Sequence, residues 1–171
     1  VIMRDVIEAS AAHKYQWVCH FLEGASREGS WIHGRAQAGQ ALGVAVISPS
    51  SWSLEVEEQR PHQIKGINSN GYVHAAKVNG AVQPNMTFLT ALVPMPEASW
   101  AVRPAVAAID AAQPDAGLAV REGQRVASAI FSGASNGQRD VGPFRLKGLA
   151  GAVIEESGVP VRAVLIDGTE L

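Results

Sequence analysis

Histidine, cysteine, serine and paired carboxylates are the side chains that could carry chemistry in this sequence, and their spacing decides how far. Five histidines stand at 13, 20, 33, 62 and 74. None falls in an HxH, HExxH or HxxxH pattern, so no metal ligand is assigned to them. His20 and His33 lie on neighbouring candidate strands, where a cross-strand pair can be imagined. A strand histidine with a satisfied hydrogen bond or at an exposed edge is the plainer expectation. Cys19 stands beside His20, a combination that activates thiol nucleophiles when the two groups meet. Sequence neighbours on a strand point to opposite faces, so adjacency separates them and a buried, inert thiol is expected. A hydrolase serine would need a GxSxG elbow between a strand and a helix, and neither is present. Ser132-Gly133-Ala134-Ser135-Asn136-Gly137 is glycine-rich but has no lysine and no following helix, so it reads as a turn, not a phosphate cradle. Glu57-Glu58 and Glu155-Glu156 are adjacent acids that face apart on strands and read as solvated edges. No catalytic residue is assigned within this chain.

Aromatic faces offer a second kind of chemistry, because they complement the apolar faces of pyranose rings. Trp17, Trp31, Trp52 and Trp100, with Tyr15 and Tyr72, are the candidates, and the same residues are the largest core fillers available. Trp17 is expected in the core, whereas Trp52 and Trp100 stand beside proline-rich breakers. The candidate carbohydrate-binding set is therefore Trp52, Tyr72 and Trp100, with His20 beside them. Asn85-Met86-Thr87 matches a glycosylation sequon, a pattern common enough to occur by chance.

The elements that must position these residues are strands. Apolar and polar residues alternate, with turn formers at short intervals. Residues 1–9 read as a first strand. Residues 15–23 place Tyr15, Trp17, Cys19 and Phe21 on one face and Gln16, Val18, His20 and Leu22 on the other, which predicts a central strand. Residues 24–29 read as a turn, and 31–37 and 42–48 as two further strands. Trp52, Leu54 and Val56 alternate with Ser53, Glu55 and Glu57, a half-exposed strand with acids on its wet face. A loop over 59–70 follows, then strands at 71–78 and 86–93 joined through the hairpin-type dipeptide Asn79-Gly80. Residues 104–113 are the one helix candidate, with Pro104 at its start, but Val106, Ala108 and Asp110 alternate and strand is preferred. Strands at 117–120, 125–132, 144–155 and 161–166 complete the chain around a 133–143 loop. Ten or more short strands at this spacing predict an all-β, antiparallel sandwich of two sheets.

Composition narrows the function. The 171 residues are one domain's worth, 47% hydrophobic and 18% charged, which excludes disorder and collagen-like repeats. Fourteen Lys and Arg against sixteen Asp and Glu give a net charge of −2. A domain built to grip a nucleic acid backbone is usually basic, so no nucleic-acid partner is expected. Arg121, Arg125, Arg139, Arg145, Lys147 and Arg162 could still converge on one end of a sandwich. The single cysteine allows no internal disulfide. No apolar run of about 18 residues occurs, so no membrane span is predicted. The sequence opens on Val1 and enters a strand at once, and is expected to be a single β-sandwich domain, residues 1–171, cut from the C-terminal part of a longer chain.

Several stretches, in order, resemble the C-terminal β domain of the heparinase II/III-like polysaccharide lyases, a group that includes alginate and other uronate lyases. They are V-I-M-R-D-V-I-E-A at the start, H-K-Y-Q-W-V-C-H-F, L-G-V-A-V-I-S-P, N-M-T-F-L-T-A-L-V-P and the closing R-A-V-L-I-D-G-T-E-L. The resemblance implies an enzyme with an N-terminal α/α toroid and β-sheet domains behind it. Such enzymes cleave uronate-containing glycans by β-elimination: a tyrosine or histidine removes the C5 proton while a polar or basic group neutralises the carboxylate. It also implies that the toroid supplies the tyrosine, and that an H-G-H-x-D stretch linked to a structural zinc precedes the part seen here. Neither is in this sequence, so no cofactor is expected in the fragment and zinc only upstream of it. His20 is the nearest matching position, without a role. The partners implied are the toroid of the same chain and an acidic polysaccharide, in a periplasmic or secreted setting. A stand-alone carbohydrate-binding or structural sandwich is the alternative.

Overall fold

In a computed structural model, residues 1–59, 73–133, 137–169 and 171 are described. The protein is all-β, and it divides into two compact units, Met3–Val102 and Arg103–Leu171.

The first unit contains β1 (Ile2–His13), β2 (Gln16–Phe21), β3 (Ala25–Glu28), β4 (Trp31–Ala36), β5 (Gln40–Ser48), β6 (Ser53–Gln59), β7 (Val73–Asn79) and β8 (Gln83–Pro96). They form a five-stranded sheet in the order β1-β8-β5-β4-β3 and a three-stranded sheet in the order β2-β7-β6. Alternation explains the packing. Phe21, Ala76 and Val78 from the smaller sheet meet Ile32, Val44, Val46, Met86 and Phe88 from the larger, with Trp52 among them. Leu54 packs against this core, while Glu55 and Glu57 on the other face of β6 hold Lys77 of β7. The hydrogen bond to Glu57 chiefly keeps Lys77 protonated above its ordinary range.

Several expectations are revised here. β2 is an edge strand, not a central one, and Val18 on its outer face is 43% exposed. The segment 24–29 is largely a strand, β3, paired with β4. Asn79-Gly80 does not close a hairpin, because β7 and β8 belong to different sheets and the dipeptide turns the corner between them. A Cβ at position 80 would meet the Met86 Cε at 2.4 Å, so the thioether packs directly over that glycine. Of the 59–70 loop, all but Gln59 lies outside the described residues.

The second unit contains β9 (Ala105–Ala108), β10 (Gly117–Glu122), β11 (Arg125–Phe131), β12 (Gln138–Val141), β13 (Phe144–Lys147), β14 (Ala150–Glu156) and β15 (Val159–Ile166). Five of them form an antiparallel sheet in the order β15-β14-β11-β10-β9, and β12 and β13 form a separate hairpin. Ala116, Ile130, Val141 and Leu146 make its core. The 104–113 segment is β9 followed by a turn in which Asp110 Oδ1 accepts from the Ala112 amide at 2.8 Å, so strand wins over helix. The 144–155 stretch is two strands, interrupted at Gly148-Leu149, and part of the 133–143 loop is β12.

The basic residues of this unit do not all converge on one end. Arg121 and Arg125 sit at the β10–β11 turn, with Arg125 opposite Glu156. Arg139 lies at the other end of β11, reaching the Phe131 carbonyl and Asp115. Arg145 pairs with Asp140 across β12 and β13 at 2.9 Å. Among the described residues no helix is long and apolar enough to cross a membrane.

Candidate functional site

The site grows from strand alternation on β4. Ile32 and Gly34 face the sandwich core, which puts Trp31, His33 and Arg35 on the opposite face of the five-stranded sheet. Cross-strand register lines up Ser26, His33 and Gly43 in one row and Glu28, Trp31 and Ala45 in the next. After β8 the chain turns through a short 3-10 helix, Glu97–Val102, that brings two more side chains to this face.

Glu97 accepts a hydrogen bond from His33 Nε2 at 3.0 Å. With a carboxylate oxygen as the acceptor, Nε2 is the donor of this bond. The Trp100 indole stacks on the same imidazole, with centroids 4.0 Å apart and planes 11° from parallel. Its edge-to-face contact with Trp31 and a hydrogen bond from Nε1 to Glu28 at 2.7 Å fix the indole from two other sides. Gly43 makes this possible: a Cβ there would lie 2.9 Å from Trp31 Cζ3 and 3.1 Å from Trp100 Cζ3. Two shallow clefts flank the pair. One, of about 270 Å³, is lined by Glu23, Ser26, His33 and Arg35 among others. The second, of about 350 Å³, shares Glu23 and Arg35 and adds Gln40 and Glu97. The ensemble joins a carboxylate-held imidazole to an exposed guanidinium and an exposed carboxylate, a set suited to binding a polar, charged ligand.

The residues named from sequence fare differently. Trp100 is at this site, half-buried, but one face of its ring is occupied by His33. Trp52 is 7% exposed and belongs to the core, with the Arg27 guanidinium 3.9 Å from its ring centroid. It offers no platform to a sugar. His20 is exposed on β2 and pairs in register with Ala75, whereas His33 is in the other sheet, so the two histidines form no cross-strand pair. Tyr72 lies outside the described residues, as do Ser135 and Asn136 of the glycine-rich stretch. Trp17 packs against the core as expected and donates from Nε1 to Asp5 at 3.2 Å. His33, Glu97, Arg35 and Glu23 share no sequence spacing that marks them as a group. The usable signal was glycine inside two strands, at 34 and 43, since interior strand glycines mark close approaches.

Cys19 packs against the core from β2. Burial pushes its thiol pKa up, and a backbone hydrogen bond at His20 offsets part of that rise. A raised folded-state pKa means that the stabilisation is complete below the thiol's ordinary range and is lost as pH rises through the folded value. At mildly alkaline pH an aromatic disulfide reagent should therefore label Cys19 far faster in the urea-unfolded chain than in the folded one. Equal rates would show an unshielded thiol.

Among the described residues no three His, Cys, Asp or Glu side chains gather as a metal site. Comparison with protein-family models and with curated proteins returned no match.

Proposed function

We propose that the chain is the C-terminal β portion of a heparinase II/III-like polysaccharide lyase, acting on uronate-containing glycans and inactive without its α/α toroid. The observation that supports it most is the way the resembling stretches fold. Residues 1–9, 13–21, 42–49 and 85–94 fall on β1, β2, β5 and β8 of the first unit, and 162–166 of the closing stretch on β15. In β-elimination a base takes the C5 proton, and the C–H electron pair becomes the C4=C5 double bond. The C4–O bond breaks, and the departing oxygen is protonated to a hydroxyl. The toroid would supply that base, and the face carrying His33, Arg35 and Glu97 would help to wall the glycan cleft.

The test uses the complete product of the natural coding region beside the 171-residue chain, each given alginate and heparan sulfate. Release of the unsaturated uronate, followed by its ultraviolet absorbance, is expected from the complete product and not from the chain alone. A complete product that has no upstream helical domain and releases nothing would sink the lyase reading. Retention of the chain on immobilised glycan would then make it a free-standing carbohydrate-binding module.

A further inference from the structure

We infer that the clefts at the β3–β4 edge form a subsite for a single carboxylated sugar, in which Arg35 takes the carboxylate and Glu23 the hydroxyls. The assignment names a ligand class for the face described above and rests on the chain being glycan-facing.

Arg35 is the starting point. It is exposed, it lines both clefts, and among the described residues its guanidinium has no carboxylate partner. On the same face of β4, His33 is already engaged by Glu97 and the Trp100 ring, and Arg27, one strand away, by the Trp52 carbonyl and ring. An arginine fork is matched to a planar carboxylate, which it binds through two parallel N–H···O bonds. Glu23 lines the same two clefts and presents acceptors only. The two groups together discriminate between ligand classes. An inorganic anion would gain from Arg35 and be repelled by Glu23 and Glu97. A neutral sugar would satisfy Glu23 and leave the guanidinium unused. A uronate carries a carboxylate and vicinal hydroxyls on one ring and satisfies both.

The remaining lining fits that choice. Ser26 in the first cleft and Gln40 in the second each add a donor and an acceptor for further hydroxyls. The volumes of about 270 and 350 Å³ sit at the small end for ligand pockets, which suits one sugar unit held at a sheet edge. The edge is rigid where it matters: His33 is clamped between Glu97 and the Trp100 ring, and the Arg35 amide donates to the Gly24 carbonyl at 3.2 Å.

The experiment is a titration of the isotope-labelled 171-residue chain with D-glucuronate, D-glucose and inorganic sulfate, followed by the amide signals of Gly24, Ser26 and Arg35 and by the Arg35 side-chain N–H. Glucuronate should move these signals and bind about tenfold or more tightly than glucose, the factor set by one charge-assisted hydrogen bond. Arg35→Gln should erase that preference, Arg35→Lys should retain part of it, and Glu23→Gln should weaken both sugars while keeping it. Arg35 and Glu23 are exposed, so the variants are expected to fold, and their unperturbed Val44 and Val78 signals would confirm it. Equal binding of glucose and glucuronate, sulfate shifts as large as those of glucuronate, or no shift at these residues would overturn the subsite. Glucuronate binding by a protein without lyase activity would keep the subsite and remove the lyase reading; lyase activity with no shift here would do the reverse.

Discussion

Replacing Gly34 with alanine should destabilise the first unit by about 3 kcal/mol, the upper end of what one added methyl costs in a packed core. Gly34 sits on β4 of the larger sheet, and the Phe21 ring from β2 of the smaller sheet occupies the space where its Cβ would be. A Cβ at position 34 would stand 1.8 Å from Phe21 Cδ1 and 1.9 Å from Cε1. The ring is no flexible tip: Phe21 is 4% exposed and packed within the core that Ile32, Val78 and Phe88 share, so it has no free space to enter. The two sheets must then move apart or the ring must leave its rotamer. Urea unfolding followed through the Val44 and Val78 amide signals reads the unit directly. The midpoint should fall with little change in slope. Adding Phe21→Leu to Gly34→Ala should recover part of the loss, a non-additivity that shows the clash to be between these two residues. A loss below about 1 kcal/mol would mean that the ring steps aside, and the account of the glycine would fail.

The same contact shows where sequence reading stops. Alternation over 15–23 placed Tyr15, Trp17, Cys19 and Phe21 on one face, and each packs on the core from that face. The strands at 42–48 and 86–93, and the preference for strand over helix at Ala105–Ala108, rest on the same local period of two. What period two does not carry is partnership. β3 shows almost no hydrophobic pattern, because its share of the core is one alanine, Ala25, and Arg27 lying over Trp52. Nothing local to Asn79-Gly80 distinguishes a hairpin from a passage between sheets. The site is harder still, since the His33–Glu97 hydrogen bond joins residues 64 apart and depends on a 3-10 turn after β8. Its trace in the sequence is an absence of side chains: Gly34 admits Phe21 on one face of β4's neighbourhood, and Gly43 admits Trp31 and Trp100 on the other.

Trp52 brings the two questions together, because it was a candidate sugar platform and is a core residue. Trp52→Ala should cost the first unit about 3–5 kcal/mol, the range for deleting a buried aromatic. The indole is 7% exposed and packs with Phe21, Met86 and Phe88, so its loss leaves a cavity that the two sheets cannot close without shifting. The polar dressing contributes less. The Arg27 guanidinium, 3.9 Å from the ring centroid, also donates to the Trp52 carbonyl. Arg27→Ala should therefore cost only about 1 kcal/mol, the scale of a partly exposed cation–π contact. Trp52→Phe keeps a filled site and should fall between the two. For the fraction of Trp52→Ala that remains folded, binding of glucuronate at Arg35 should be unchanged, since the indole faces the sandwich interior while Arg35 lies on the other face of the larger sheet. A stability loss under about 1 kcal/mol together with lost sugar binding would reverse the assignment and return Trp52 to the surface. The expected pair of results, a large loss of stability with binding intact, would instead separate the aromatic that holds the sheets together from the face that meets the ligand.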